Sequence, residues 1–175
     1  MLIRTRFSIS ADGYVTTPEG WPSLVADPTF VAGESHGWPE FQARCEAVLM
    51  GRRTFAPALA ADRWPWPDLD VFVLGRDVPT DPAPVPITTD SDPARLLDRV
   101  RSANRGRDVH LVGGLQTIET FRRIGGLDRI GLLVLPFFLG GGRRLTDTVS
   151  LETKVALDEV RTWPEGAVDI VYGVD

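Results

Sequence analysis

Two segments run from a short apolar stretch through glycine into a pattern that reads as a helix. The first is Val48-Leu49-Met50-Gly51-Arg52-Arg53-Thr54 and the second is Leu111-Val112-Gly113-Gly114-Leu115-Gln116-Thr117. A strand that turns through glycine into a helix offers free first-turn N–H groups and the positive end of the helix dipole, a natural seat for an anion. Glycine also lets a phosphate approach the backbone closely. Arg52 and Arg53 add guanidinium forks suited to a terminal phosphate, and Arg76, just beyond Val71-Phe72-Val73-Leu74, adds a third. Any one turn alone reads most simply as a tight turn with solvated arginines. Three such strand ends together, two glycine-rich and two carrying Arg, point to a phosphorylated cofactor. Neither turn matches G-x-x-x-x-G-K-[ST] or G-x-G-x-x-G, so a nucleoside-triphosphatase and a standard Rossmann dehydrogenase are unsupported.

Other chemistry-bearing residues are weaker pointers. The cluster Phe138-Leu139-Gly140-Gly141-Gly142-Arg143-Arg144-Leu145 follows Pro136 and fits a flexible turn as well as a ligand contact. Gly33-Glu34-Ser35-His36-Gly37 matches the serine-hydrolase elbow G-x-S-x-G. Only one convincing strand precedes it, however, and the sole later histidine, His110, sits in the strand-like run Val109-His110-Leu111-Val112. A serine hydrolase is therefore a distant third reading. Asp12, Asp27, Glu34 and Glu40 are the carboxylates of the long first loop, where solvation is the default. Cys45 has helical spacing to Phe41 and reads as core. Trp21, Trp38, Trp64 and Trp66 lie in loops, as walls for a flat ligand or as loop packing.

Bulk properties bound these options. The chain has 175 residues, 43% hydrophobic and 25% charged, which fits a single folded domain over residues 1–175. Nineteen basic against 24 acidic residues give a net charge of −5, which argues against a duplex nucleic-acid binder. One Cys excludes an internal disulfide, and two His with one Cys do not make a zinc site by themselves. The longest apolar run, residues 130–139, is half the length of about 20 residues that a membrane-spanning helix needs. With no apolar signal core in MLIRTRFSIS, the expectation is a cytoplasmic protein with no metal, no membrane and no nucleic-acid partner.

The elements that must position the turns alternate. Strands are expected at residues 2–9, 47–50, 71–74, 109–112 and 130–135. Helices are expected at 39–45, 52–59, 93–103 and 115–124, the third capped by Ser91 or Asp92. Residues 155–163 and 167–174 read as a hairpin across Pro164-Glu165-Gly166. Short apolar strands alternating with helices imply a mostly parallel sheet covered on both faces, so the class is three-layer α/β/α with an antiparallel terminal hairpin. Ligands of such sheets bind beyond the carboxyl ends of the strands.

Four motifs in order resemble one superfamily over nearly the whole chain. Ser10-Ala11-Asp12-Gly13-Tyr14-Val15 resembles the S-x-D-G-x-[IV] opening of the dihydrofolate reductase-like proteins. Met50-Gly51-Arg52-Arg53-Thr54-Phe55 is similar to their M-G-R-x-T-[FYW]. Val112-Gly113-Gly114 resembles V/I-G-G, and the run from Pro136 to Gly142 resembles P-x-x-x-G-x-G. The branch resembled is the reductase domain of the riboflavin-biosynthesis deaminase–reductase (the RibD C-terminal domain) and its stand-alone bacterial relatives. The resemblance implies NADPH-dependent reduction of a C=N or C=O bond in a pteridine- or pyrimidine-like small molecule, either 5-amino-6-(5-phosphoribosylamino)uracil reductase-like or dihydrofolate reductase-like.

By the same resemblance, Gly51, Arg52, Arg53 and Thr54 would hold cofactor phosphates, with Leu74 and Arg76 on the 2′-phosphate side. Val112, Gly113, Gly114, Leu115, Gln116 and Thr117 would cradle the pyrophosphate, and the loop containing Val15 would close over the nicotinamide. Asp27, in Leu24-Val25-Ala26-Asp27, is the candidate catalytic acid, although its separation from Gly51 exceeds that of true dihydrofolate reductases. Gly75 stands where Ser or Thr commonly precedes the Arg. Relatives of this branch commonly form homodimers. The alternative from another class is a non-catalytic module that binds a nucleotide or other ligand on the same fold.

Overall fold

A computed structural model of the protein describes residues 1–31, 34–148 and 153–174. Eight strands and four helices follow in chain order. They are β1 (Ile3–Ser10), α1 (Trp38–Ala43), β2 (Cys45–Gly51), α2 (Arg52–Leu59), β3 (Asp70–Leu74), β4 (Ile87–Asp90), α3 (Pro93–Ala103), β5 (Asp108–Gly113), α4 (Leu115–Arg123), β6 (Arg129–Leu135), β7 (Val155–Thr162) and β8 (Val168–Val174). Three short 3-10 turns, Ser23–Ala26, Ser35–Gly37 and Leu145–Asp147, lie in the loops. The strands form one mixed sheet in the order β4-β3-β2-β5-β1-β6-β8-β7.

By internal packing the chain divides into two compact units. The first comprises Met1–Thr5 and Ala43–Leu127, and the second Arg6–Gln42 and Asp128–Asp175. All strand pairs of the first unit are parallel. Its centre is β2, buried at every one of its seven positions, as a strand covered on both faces must be. Val48, Met50, Phe55, Val71, Val73 and Trp66 form one apolar cluster there. Helix α3 starts on Asp92, whose carboxylate accepts the N–H groups of Ala94 and Arg95, with Pro93 at the first helical position. Leu96, Leu97 and Val100 form its buried stripe.

The second unit carries the antiparallel pairs β6/β8 and β7/β8. Along β1 the buried side chains switch from Ile3 and Thr5 to Ser8 and Ser10. Ser8 is buried because the first loop packs on it: its Oγ accepts from Ser23 Oγ at 2.7 Å and from the Leu24 N–H at 2.9 Å.

Two expectations need correction. Cys45 is the first residue of β2, and the preceding helix ends at Ala43. The thiol is still core, and burial pushes its pKa up to about 11. Strand β4 was not anticipated: Ile-Thr-Thr-Asp is too short and too polar to show a period, and it forms only by pairing along β3.

Asp92→Ala removes the α3 cap and should cost about 1 kcal/mol in urea unfolding. A loss of only a few tenths would show that the cap contributes little.

Candidate functional site

Parallel pairing fixes where the three strand ends of the first unit emerge. Met50 of β2 is level with Gly113 of β5, and Gly51 is level with Leu74 of β3. The glycine turns after β2 and β5 and the Arg76 turn after β3 therefore leave the same edge side by side. The two glycine turns also touch. A Cβ on Gly51 would collide with Thr117 Oγ1, and one on Gly114 would lie 3.8 Å from Thr54 Oγ1. Glycine at 51 is thus required by the close approach of the α4 start. Gly113 has φ +133°, a backbone state that side chains disfavour.

Helix α2 is capped by Gly51 and α4 by Gly114, neither with a side-chain acceptor. Apart from the Thr117 N–H, which donates to the Gly114 carbonyl at 2.9 Å, their first-turn N–H groups keep their capacity to bind an anion. Arg52, Arg53 and Arg76 are exposed, and among the described residues none is ion-paired to a carboxylate. Arg52 Nη1 reaches the Arg76 carbonyl at 3.5 Å, and a Cβ on Gly75 would lie 3.0 Å from Arg52 Cβ and 3.1 Å from Val78 Cγ2. The small residue at 75 gives the Arg52 stem its space. Val112 packs against the apolar cluster, and Leu74, Leu115 and Thr117 are half-buried with Gln116 exposed.

The other two motifs join within the second unit. Asp12 Oδ1 accepts from Ser10 Oγ at 2.6 Å and from the Leu139 N–H at 3.1 Å, and Oδ2 accepts from the Gly140 N–H at 2.8 Å. These donors, Ser10 first, lower the Asp12 pKa to about 2. Asp12 is therefore a clamp between the first loop and the glycine-rich turn. Gly142 (φ +119°) lies so close to the Thr16 carbonyl that no Cβ fits. Val15 is buried, its N–H donating to Arg143 O and its C=O accepting from Ser23 N, so its backbone is engaged within the protein.

Asp27 is also in the second unit and is buried. Its Oδ1 accepts from the Thr29 N–H at 2.8 Å and from Thr29 Oγ1 at 2.7 Å. Oδ2 lies 3.5 Å from Nε2 of His36, a buried residue that the sequence reading passed over as part of a chance motif. The only available signal was that two ionisable residues share one long loop.

The serine-hydrolase reading ends here. Ser35 Oγ accepts from the Val31 N–H and faces the Thr29 carbonyl, in a 3-10 turn rather than a strand-to-helix elbow. Gly33 of that motif lies outside the described residues. Trp64 and Trp66 pack the loop down: Trp64 Nε1 donates to the Trp66 carbonyl, and the Trp64 ring meets Phe55 edge-on. Trp38 stacks on Phe41, whereas Trp21 is 65% exposed. No group of three or more His, Cys, Asp or Glu that could hold a metal occurs among the described residues, and no described helix is long and apolar enough to cross a membrane.

Residues 2–168 match the model of the RibD C-terminal domain. The chain belongs to the RibD C-terminal domain family. Uncharacterized protein YwjB of Bacillus subtilis is 22% identical over 94% of the chain and 93% of its own length. Uncharacterized protein YyaP of the same organism is 36% identical over 69 residues, which cover 39% of this chain and 37% of YyaP. Among solved structures, a putative riboflavin biosynthesis protein from Shewanella sp. PV-4 superposes with a TM-score of 0.78 at 20% identity, covering 100% of this chain and 99% of that one. A diaminohydroxyphosphoribosylaminopyrimidine deaminase/5-amino-6-(5-phosphoribosylamino)uracil reductase from Thermotoga maritima gives 0.68 at 13% identity, and this chain covers 56% of it. These likenesses establish the RibD-like, dihydrofolate reductase-like fold expected from the motifs.

Gly51→Ala should destabilise the protein by about 1–3 kcal/mol, the range for overpacking; unchanged stability in urea would mean that Thr117 yields freely. For Asp12, a folded pKa below the ordinary 3.8 gives stability that is present above about pH 4 and lost as pH falls through about 2. The stability gap between wild type and Asp12→Asn should therefore shrink between those values. A gap independent of pH would contradict the clamp.

Proposed function

We propose that this RibD C-terminal family member is an NADPH-dependent reductase acting on a C=N or C=O bond of a pteridine- or pyrimidine-like substrate. The observation that carries the reading is the alignment of Met50 with Gly113 and of Gly51 with Leu74 at one edge of the first unit. It brings to neighbouring turns two uncapped helix starts and three arginines that pair with no carboxylate among the described residues.

The residues present fit a phosphorylated dinucleotide. Arg52, Arg53 and Arg76 would meet the 2′-phosphate side, and their planar forks suit a dianion better than a ribose hydroxyl. The N–H groups opening α2 and α4 would hold the phosphates, with Gly51, Thr54, Gly113, Gly114, Gln116 and Thr117 around them. When bound, the cofactor supplies the hydride, which is its own chemistry rather than the protein's. The chain's part is to orient the acceptor, keep water out and manage one proton. Asp27 is the candidate for that proton, because Thr29 fixes its carboxylate through Oδ1 while Oδ2 faces His36 Nε2 at 3.5 Å. The uracil reductase activity in the name of the Thermotoga maritima relative supports a pyrimidine-like substrate.

Titration with NADPH and with NADH, read by tryptophan quenching, tests the reading. NADPH should bind at least tenfold tighter, a difference of about 1.4 kcal/mol. Replacing Arg52, Arg53 and Arg76 together by Ala should erase that preference. Equal affinities in the wild type would remove the roles given to the arginines. Binding of NADPH without oxidation by any pterin or pyrimidine would favour a binding module instead.

A further inference from the structure

A fourth strand end lies beside the arginine turn of the first unit. Asp90, the last residue of β4, is level with Leu74 of β3. Its carbonyl accepts from the Gly75 N–H at 2.9 Å, one residue before Arg76. The Asp90 side chain is only 7% exposed. In dinucleotide-binding α/β sheets a carboxylate commonly bonds the free ribose 2′-hydroxyl. Left uncompensated next to Arg76, such a charge would also oppose a 2′-phosphate.

Here the carboxylate is compensated. Oδ1 accepts from the Asp92 N–H and from Arg95 Nη2, each at 2.9 Å, and Oδ2 accepts from Arg95 Nε at 3.3 Å. Arg99, one turn further along α3, brings Nη2 to 3.5 Å from the same Oδ2, and its Nη1 donates to the Thr89 carbonyl. These donors, Arg95 first, hold the Asp90 pKa down to about 2, so the group is ionised at neutral pH. Helix α3 opens at this edge as α2 and α4 do, but the Asp92 carboxylate already accepts from its Ala94 and Arg95 N–H groups. Its contribution to the edge is therefore charge rather than an anion seat. Asp77, the carboxylate of the turn after β3, is exposed and screened by water, whereas the nearly buried Asp90 is screened much less.

We propose that Arg95, backed by Arg99, is a specificity-determining residue that neutralises Asp90 and so keeps the strand end beside Arg76 receptive to a 2′-phosphate. With its oxygens engaged by the two guanidinium groups, Asp90 is withheld from a ribose hydroxyl, the contact that would favour an unphosphorylated dinucleotide. Neither Arg95 nor Asp90 needs to touch the cofactor, because the effect is the net charge of the pair. The inference rests on the NADPH reading and adds a determinant to it beyond Arg52, Arg53 and Arg76. Charge balance also demands opposite effects from the two members of the pair, a pattern that damage to the fold does not produce.

The test is the ratio of NADPH to NADH affinity in the wild type and three variants, read by tryptophan quenching at low salt. Asp90→Asn keeps an acceptor for the Asp92 N–H and removes the charge. It should raise NADPH affinity about threefold, the scale of one added charge acting on a phosphate through solvent, and leave NADH unchanged. Arg95→Gln should lower NADPH affinity by about the same factor, again sparing NADH. Combining the two restores the wild-type net charge and should restore the wild-type ratio. In about 1 M salt the differences between variants should collapse, because charges are then screened within about 3 Å. A wild-type preference for NADPH that Asp90→Asn does not increase, or that the double variant does not recover, would overturn the inference and leave the NADPH reading standing. A wild type that binds neither dinucleotide, or binds both equally, would sink that reading and this inference with it.

Discussion

The close approach of two backbone turns governs the candidate cofactor site. Gly51 meets the Thr117 side chain with no space for even a methyl group, and Thr54 faces Gly114. That contact exists because β2 and β5 are parallel neighbours that end level with each other. Both helices consequently begin on glycine, without a capping side chain, and their N-termini open together. A Ser or Asp cap would stabilise either helix, yet it would also occupy the N–H groups that an anion needs. The uncapped starts are a local cost accepted where a ligand is expected to complete them.

The four motifs pair off in the same manner. The second and third meet in the first unit through Gly51, Thr54, Gly114 and Thr117. The first and fourth meet in the second unit through Asp12, which bonds the Leu139 and Gly140 N–H groups, and through Gly142 against Thr16. Residues far apart in the chain are held as single objects by backbone donors and a carboxylate. Asp12, which sequence reasoning set aside as a solvated loop acid, is a structural clamp of this kind.

Strong local signals made much of the fold legible. Helix α2 occupies the anticipated residues 52–59, and α3, with its Asp92 cap and Leu96-Leu97-Val100 stripe, spans residues 93–103 as anticipated. The terminal hairpin turns where Pro164-Glu165-Gly166 places it. Strand β4 was not legible, since its four residues acquire extended structure only from β3. The inward turn of Ser8 was likewise hidden, because it depends on a loop some 15 residues away folding back onto it. His36 stayed hidden for the same reason: a left-handed histidine next to a buried Asp is a product of tertiary contacts with Arg6 and Trp163, not of spacing.

The central claim is that the paired turns of the first unit form a dinucleotide phosphate site. Backbone amide NMR of the protein with added NADPH tests it most directly. The account predicts the largest shifts at the N–H groups of Arg52, Arg53, Thr54, Leu115 and Gln116, with Arg76 moving in NADPH but little in NADH. Saturable binding whose shifts leave both helix starts unmoved would contradict it.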